Sequence, residues 1–200
     1  MKLRTLIAVL SLLAVGSSFG ATGIFGSYVD IFTTTSTVYR GEPFSSKANF
    51  QGANLGTFNL ADTLMITQSQ VDTYKDPNAG NNVTGAEINY RVYLTAGTPG
   101  AFITQSYLFG NNSTTTDIGG QTITGFGDQT WGNGTDIALN PGVAGNYTVE
   151  VFFKAYTNLG DRFSNNGGSN FKATFAVVPE PASAVLGLIG TVLLLRRRRA

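Results

Sequence analysis

"YTVEVFFKAY", residues 147–156, changes side-chain character at nearly every step. In an extended chain, successive side chains point to opposite faces. Tyr147, Val149, Val151, Phe153 and Ala155 therefore share one face, and Thr148, Glu150, Phe152, Lys154 and Tyr156 share the other. A helix would mix the two sets, so the period of two predicts a strand with its first set turned to a core. Two further stretches follow the same rule. "AEINYRVYLTA", residues 86–96, turns Ile88, Tyr90, Val92 and Leu94 inward and Asn89, Arg91 and Tyr93 outward. "NFKATFAVV", residues 170–178, gathers Phe171, Ala173, Phe175 and Val177 on one side.

Weaker strand candidates lie at 24–33, 56–60, 63–74, 101–109, 121–125 and 135–139. Pieces such as "KDPNAGNN", "TAGTPGA", "FGNNSTTT" and "SNNGGSN" separate the strands with turn-forming residues. The connections 41–54 and 110–120 read as solvated loops. About seven to nine short strands with no helical period between them predict an all-β fold, an antiparallel β-sandwich. "LNPGVAGNYTVEV" sets Tyr147 just after a Pro-Gly turn, at the start of the penultimate strand. A tyrosine corner occupies that place in immunoglobulin-like sandwiches, its hydroxyl bonded to upstream backbone. The immunoglobulin-like arrangement is therefore expected, with a jelly roll as the alternative.

Composition removes several functions. The chain has 200 residues with no Cys and no His, which excludes disulfides, thiolate nucleophiles, the usual zinc sites and imidazole-based triads. The formal net charge of +1 hides an uneven distribution, because six of the 13 basic residues are Lys2, Arg4 and Arg196 to Arg199. Residues 21–178 keep seven basic against 11 acidic side chains, a body charge of −4. Phosphate backbones call for a basic face, so nucleic acid is not an expected partner.

The two ends carry targeting signals. Lys2 and Arg4 precede a largely apolar run from Leu6 to Val15, and Ser18 and Gly20 stand at −3 and −1 to a cleavage before Ala21. This is the pattern of a signal peptide, residues 1–20, and predicts passage through the secretion machinery and signal peptidase. At the other end, residues 182–195 are apolar or small and end at Arg196, Arg197, Arg198 and Arg199. As a helix this run would span about 21 Å, short of the roughly 30 Å hydrocarbon core. Snorkelling arginines make up part of the difference and keep the C-terminus on the cytoplasmic side. Pro179 and Pro181 stop a helix from running into the body, which sets off residues 178–200 as a separate segment after a domain at 21–177.

"VPEP" at 178–181, a short apolar helix and a terminal Arg cluster together resemble the PEP-CTERM sorting signal, a segment also known as an ice-binding-protein C-terminal domain. The resemblance covers the last 23 residues. It implies processing by an exosortase, a membrane transpeptidase, with Pro179, Glu180 and Pro181 as recognition element and Arg196 to Arg199 as stop signal. It further implies an exported protein, held at the inner membrane before processing. The destination would be the cell surface or extracellular matrix of a bacterium that makes exopolysaccharide or biofilm.

The body offers three candidate sites. Acidic residues are scattered through turns and strand edges, so no carboxylate pair suited to acid–base catalysis emerges, and no G-x-S-x-G occurs. "DPNAGNNVTGAE", residues 76–87, sets Asp76, Asn78 and Glu87 at calcium-loop positions 1, 3 and 12, but Asn81 replaces the position-6 Gly. The same stretch suits an ordinary hairpin loop. "FSNNGGSNF", residues 163–171, resembles the W-D-N-N-x-G-x-N-Y loop of some starch-binding modules. Asn165, Asn166, Gly168 and Asn170 match it, Phe163 and Phe171 replace Trp and Tyr, and Ser164 replaces Asp. Amides beside aromatic faces suit sugars; the same residues also suit a self-capping hairpin. Trp131, the single tryptophan, stands between Gly-rich turns and is a candidate sugar platform or core-rim residue. No cofactor is called for apart from this weak calcium candidate. The expected role is non-enzymatic, structural or adhesive, in association with exopolysaccharide. A carbohydrate-binding module and a polysaccharide-active enzyme are the alternatives.

Overall fold

The computed structural model describes residues 22–42, 46–76, 80–111, 115–116, 118, 120, 122–123, 127–134 and 136–180. The expected signal peptide, the apolar C-terminal run, Asn78, Pro181 and Arg196 to Arg199 lie outside the described residues. Among the described residues no helix is long and apolar enough to cross a membrane.

Among the described residues the fold is all-β, with a short 3-10 turn at Asn166–Gly168. In chain order the strands are β1 (Gly23–Phe32), β2 (Ser36–Arg40), β3 (Ala48–Asn49), β4 (Asn54–Asn59), β5 (Met65–Tyr74), β6 (Val83–Leu94), β7 (Ile103–Ser106) and β8 (Leu108–Asn111). They continue with β9 (Thr115–Thr116), β10 (Thr122–Ile123), β11 (Gln129–Asn133), β12 (Ile137–Ala138), β13 (Gly145–Thr157), β14 (Arg162–Ser164) and β15 (Phe171–Val178). One sheet runs β3-β2-β1-β5-β11-β8, with β12 also on β5. A second runs β4-β15-β13-β6-β7, with β14 also on β13, and β9 and β10 form a small ribbon.

The period-two stretches form the centre of the second sheet. Val149 pairs with Ala173 on β15 and Val92 on β6, and Val151 with Phe171 and Tyr90. Such cross-strand apolar pairs contribute roughly 0.2–1 kcal/mol each. Their inward side chains join Val29, Ile31, Ile66 and Val71 of the first sheet in one continuous apolar cluster. A polar link also joins the two sheets where Ser27 Oγ on β1 meets Ser164 Oγ on β14 at 2.8 Å, in a buried setting.

Several expectations need correction. The sheets are mixed rather than wholly antiparallel, because β3 runs parallel to β2 and β4 parallel to β15. Neither pair is a tight hairpin, and β4 and β15 lie far apart in the chain, so no turn imposes antiparallel direction. The stretch 101–109 splits into β7 on the second sheet and β8 on the first, with Tyr107 buried between them. The connection 41–54 is not merely solvated. It carries β3, and Phe50 is buried in the core with its N–H donating to Arg40 O at 2.8 Å. Finally, β2, β9, β11 and β14 form where no strand was expected, β9 within the stretch 110–120 that was read as a solvated loop.

Candidate functional site

Residues 163–171 connect β14 to β15 through a turn that only a few residue types tolerate. Asn166 and Asn170 have φ of 49° and 56°, and Gly167 and Gly168 have 65° and 92°. Left-handed backbone strains residues with a Cβ, least so Asn, whose amide can bond locally. Asn165 supplies the cap: its Oδ1 accepts from Gly168 N–H at 3.1 Å, and its carbonyl accepts from Asn170 N–H at 2.8 Å. Asn166 Nδ2 donates to Asn170 O at 3.2 Å.

This loop borders an open cleft of about 540 Å3 to which the β2–β3 segment also contributes. From the loop come Phe163, Asn165, Asn166 and the edge of Phe171; from the other segment come Arg40, Glu42, Asn49 and Gln51. Arg40 braces the backbone, with Nε donating to Lys47 O at 2.9 Å and Nη1 to Glu42 O at 3.2 Å. Asn49 Oδ1 accepts from Gln51 N–H at 3.0 Å, and Gln51 Oε1 accepts from Lys172 N–H at 2.8 Å. Gly41 closes the turn, and a side chain there would strike Ser27 Oγ and the Phe171 ring. Glu42 is the one carboxylate among the described lining residues.

Beside the cleft, the outer face of the second sheet carries a polar and aromatic layer. Glu150 is only 2% exposed although it points away from the core. Its Oε2 accepts from Arg91 Nε at 3.0 Å, Arg91 Nη2 at 2.8 Å and Tyr93 Oη at 3.1 Å, while Asn170 Nδ2 donates to Oε1 at 2.7 Å. Burial pushes the Glu150 carboxyl up, but the bonds from Asn170 and Arg91 outweigh it and hold it below the usual carboxylate range. Burial and the neighbouring carboxylate raise the Tyr93 phenol. The Phe163 ring lies 6.4 Å from Phe152, and Phe152 meets Phe102 edge-on at 5.0 Å. Arg91 covers the Phe102 face at 4.1 Å. Lys154 pairs with Asp161 at 2.8 Å and lies over Tyr156 at 4.2 Å.

The structure brings Phe163, Asn165 and Asn166 together at the cleft, which a mostly buried Phe171 also borders, and places the remaining candidates elsewhere. Asn170 holds the loop through Glu150. Phe171 is a core residue, 3% exposed, with its ring 6.4 Å from Phe153. Trp131 belongs to β11 on the other sheet, is 7% exposed, and donates from Nε1 to Thr73 Oγ1 at 3.1 Å. Glu87 of the calcium candidate is buried, and both its oxygens accept hydrogen bonds, from Asn89 and from Tyr156. Asp76 O accepts from Asn81 N–H at 3.2 Å. Pro179 and Glu180 are exposed and follow β15 directly. Sequence reasoning missed Arg40, Glu42, Asn49 and Gln51. The available signal was Phe50, a lone aromatic between two amides in "ANFQG", whose burial fixes Asn49 and Gln51 on either side. Comparison of the chain with family models, curated proteins and solved structures finds no match to any of them.

Proposed function

We propose that the chain is an exported, exosortase-sorted protein of the cell envelope or extracellular matrix. It acts without catalysis, in a structural or adhesive role associated with exopolysaccharide. The body is read as an immunoglobulin-like β-sandwich. In that fold one sheet has the order A-B-E-D and the other C-F-G. The orders β1-β5-β11-β8 and β6-β13-β15 match these in the same chain sequence, which favours this fold over a jelly roll. The bond from Tyr147 Oη to Val143 O at 3.0 Å supports it further, as a tyrosine corner at the start of the F strand. In the modular reading, the body's first strand begins at Gly23, shortly after the expected cleavage, and its last ends at Val178, one residue past the expected boundary at 177 and immediately before the Pro-Glu-Pro.

The observation that carries an adhesive role over a catalytic one is the cleft. Among its described lining residues it offers amides, an exposed ring, an arginine and a single carboxylate, whereas glycoside hydrolysis uses two. The test is fractionation of cells that express the full chain or a variant with Pro179, Glu180 and Pro181 all changed to Ala. The wild type should leave the membrane fraction and co-purify with exopolysaccharide, while the variant stays at the membrane. Equal distribution of the two would overturn the sorting reading. Absence of the wild type from the polysaccharide fraction would overturn the adhesive one.

A further inference from the structure

We infer that the cleft between Asn49–Gln51 and the 163–171 loop binds an uncharged, hydroxyl-rich oligosaccharide that stacks on the Phe163 ring. This deepens the adhesive reading and rests on it only for the source of the glycan.

The first argument is the state of the amides. Each uses one end to hold backbone and keeps the other for a ligand. A backbone N–H requires an oxygen and a backbone carbonyl requires an N–H, so all four orientations are fixed by chemistry. Asn49 and Gln51 accept through Oδ1 and Oε1, which leaves Asn49 Nδ2 and Gln51 Nε2 as donors. Asn165 accepts through Oδ1, which leaves its Nδ2, and Asn166 donates through Nδ2, which leaves its Oδ1. Three donors and one acceptor line one cleft, a set that matches hydroxyl and ring oxygens.

The second argument is charge. The Arg40 guanidinium and the Glu42 carboxylate offset each other in the lining, and Arg40 already gives Nε and Nη1 to carbonyls, so the cleft has no net charge to draw an acidic chain. The third is the ring. Phe163 is 51% exposed, backed by Phe152 and, behind it, Phe102. The axial C–H face of a sugar covers such apolar surface while its hydroxyls reach the amides. The volume of about 540 Å3 lies within the usual range for ligand sites. The loop is held beforehand by Asn165, Asn166 and Asn170, so little ordering is left to be done on binding.

The experiment is calorimetric titration of the full chain in detergent with maltohexaose, cellohexaose and laminarihexaose, with oligogalacturonate as the charged control. At least one neutral glycan should bind and the galacturonate should not. Phe163→Ala should weaken binding about tenfold or more, and Gln51→Glu, which keeps the Lys172 bond and removes the Nε2 donor, about tenfold. Unchanged unfolding midpoints would show that both variants are folded. Silence with every neutral glycan, stronger binding of galacturonate, or wild-type affinity in both folded variants would each overturn the inference. If no neutral glycan binds while the protein still co-purifies with exopolysaccharide from cells, the cleft assignment falls and the adhesive reading stands. Binding without co-purification gives the reverse.

Discussion

Asn170 Nδ2 donates to Glu150 Oε1 at 2.7 Å, and this bond ties the loop beside the cleft to the middle of β13. Glu150 is thereby shared between Asn170 on one side and Arg91 with Tyr93 on the other. Removing it strands the Arg91 guanidinium and frees the left-handed Asn170. Glu150→Ala is expected to cost about 3 kcal/mol in urea unfolding, the lower end for breaking a buried pair, because Arg91 remains partly exposed. Amide exchange across 163–171 should accelerate in the same variant. Unaltered exchange there would show that the loop holds itself.

The same carboxylate makes stability depend on pH. Its folded pKa is lowered, whereas in the unfolded chain it takes the ordinary Glu value of about 4.3. The stabilisation is therefore complete above about pH 4.3 and is lost as pH falls through the folded value. Wild type should lose stability between pH 5 and 3 more steeply than Glu150→Gln, which has no such charge to protonate. Parallel urea midpoints for the two proteins across that interval would remove Glu150 as the cause.

The period of two in 147–156 made β13 legible, because its inward residues Tyr147, Val149, Val151, Phe153 and Ala155 are all buried. The outward set was harder to read. Thr148 and Glu150 are also buried, since Arg91, Tyr93 and Asn170 lie across them, and no spacing within one strand announces a neighbour's cover. The loop 163–171 was legible from its Asn and Gly content, which left-handed backbone requires. The facing wall was not, because Asn49 and Gln51 depend on Phe50 reaching the core from a polar stretch. Phe171 and Trp131 look alike as aromatics near turns. What separates them from Phe163 is the face of the strand, which the period of two in 170–178 gave for Phe171 and the short run around Trp131 did not reveal.

Tyr147 makes two separable contributions. Its hydroxyl donates to Val143 O at 3.0 Å, and its ring stacks on Phe175 at 5.5 Å. Tyr147→Phe should cost about 1 kcal/mol, the net value of one hydrogen bond. Tyr147→Ala should cost about 3–5 kcal/mol, because it also empties a core site. Urea denaturation of both variants checks the difference. Equal losses would mean that the hydroxyl alone matters.

Gly41 stands where the β2–β3 segment passes the Ser27–Ser164 link. An added Cβ would come within 2.5 Å of Ser27 Oγ and 2.9 Å of the Phe171 ring. Both neighbours are buried and one is hydrogen-bonded, so neither yields freely. Gly41→Ala is expected to cost about 1–3 kcal/mol as an overpacked site. A thermal midpoint equal to that of the wild type would show that the cleft wall shifts without penalty.

Trp131 is the single tryptophan, so intrinsic emission reports one place on the first sheet. Its indole is buried, bonded to Thr73 Oγ1 and edge-on to Phe109 at 5.1 Å. The folded protein should emit at short wavelength and shift red on unfolding. Trp131→Ala should cost about 3–5 kcal/mol through loss of core volume. Loss of glycan binding in that variant would therefore report unfolding rather than a missing sugar contact. The cleft draws its loop side from the second sheet, and Trp131 is not among its described lining residues. Saturating the folded protein with a bound glycan should leave the emission maximum where it was. A clear shift on titration, with the fold intact, would move the site to the first sheet and away from Phe163.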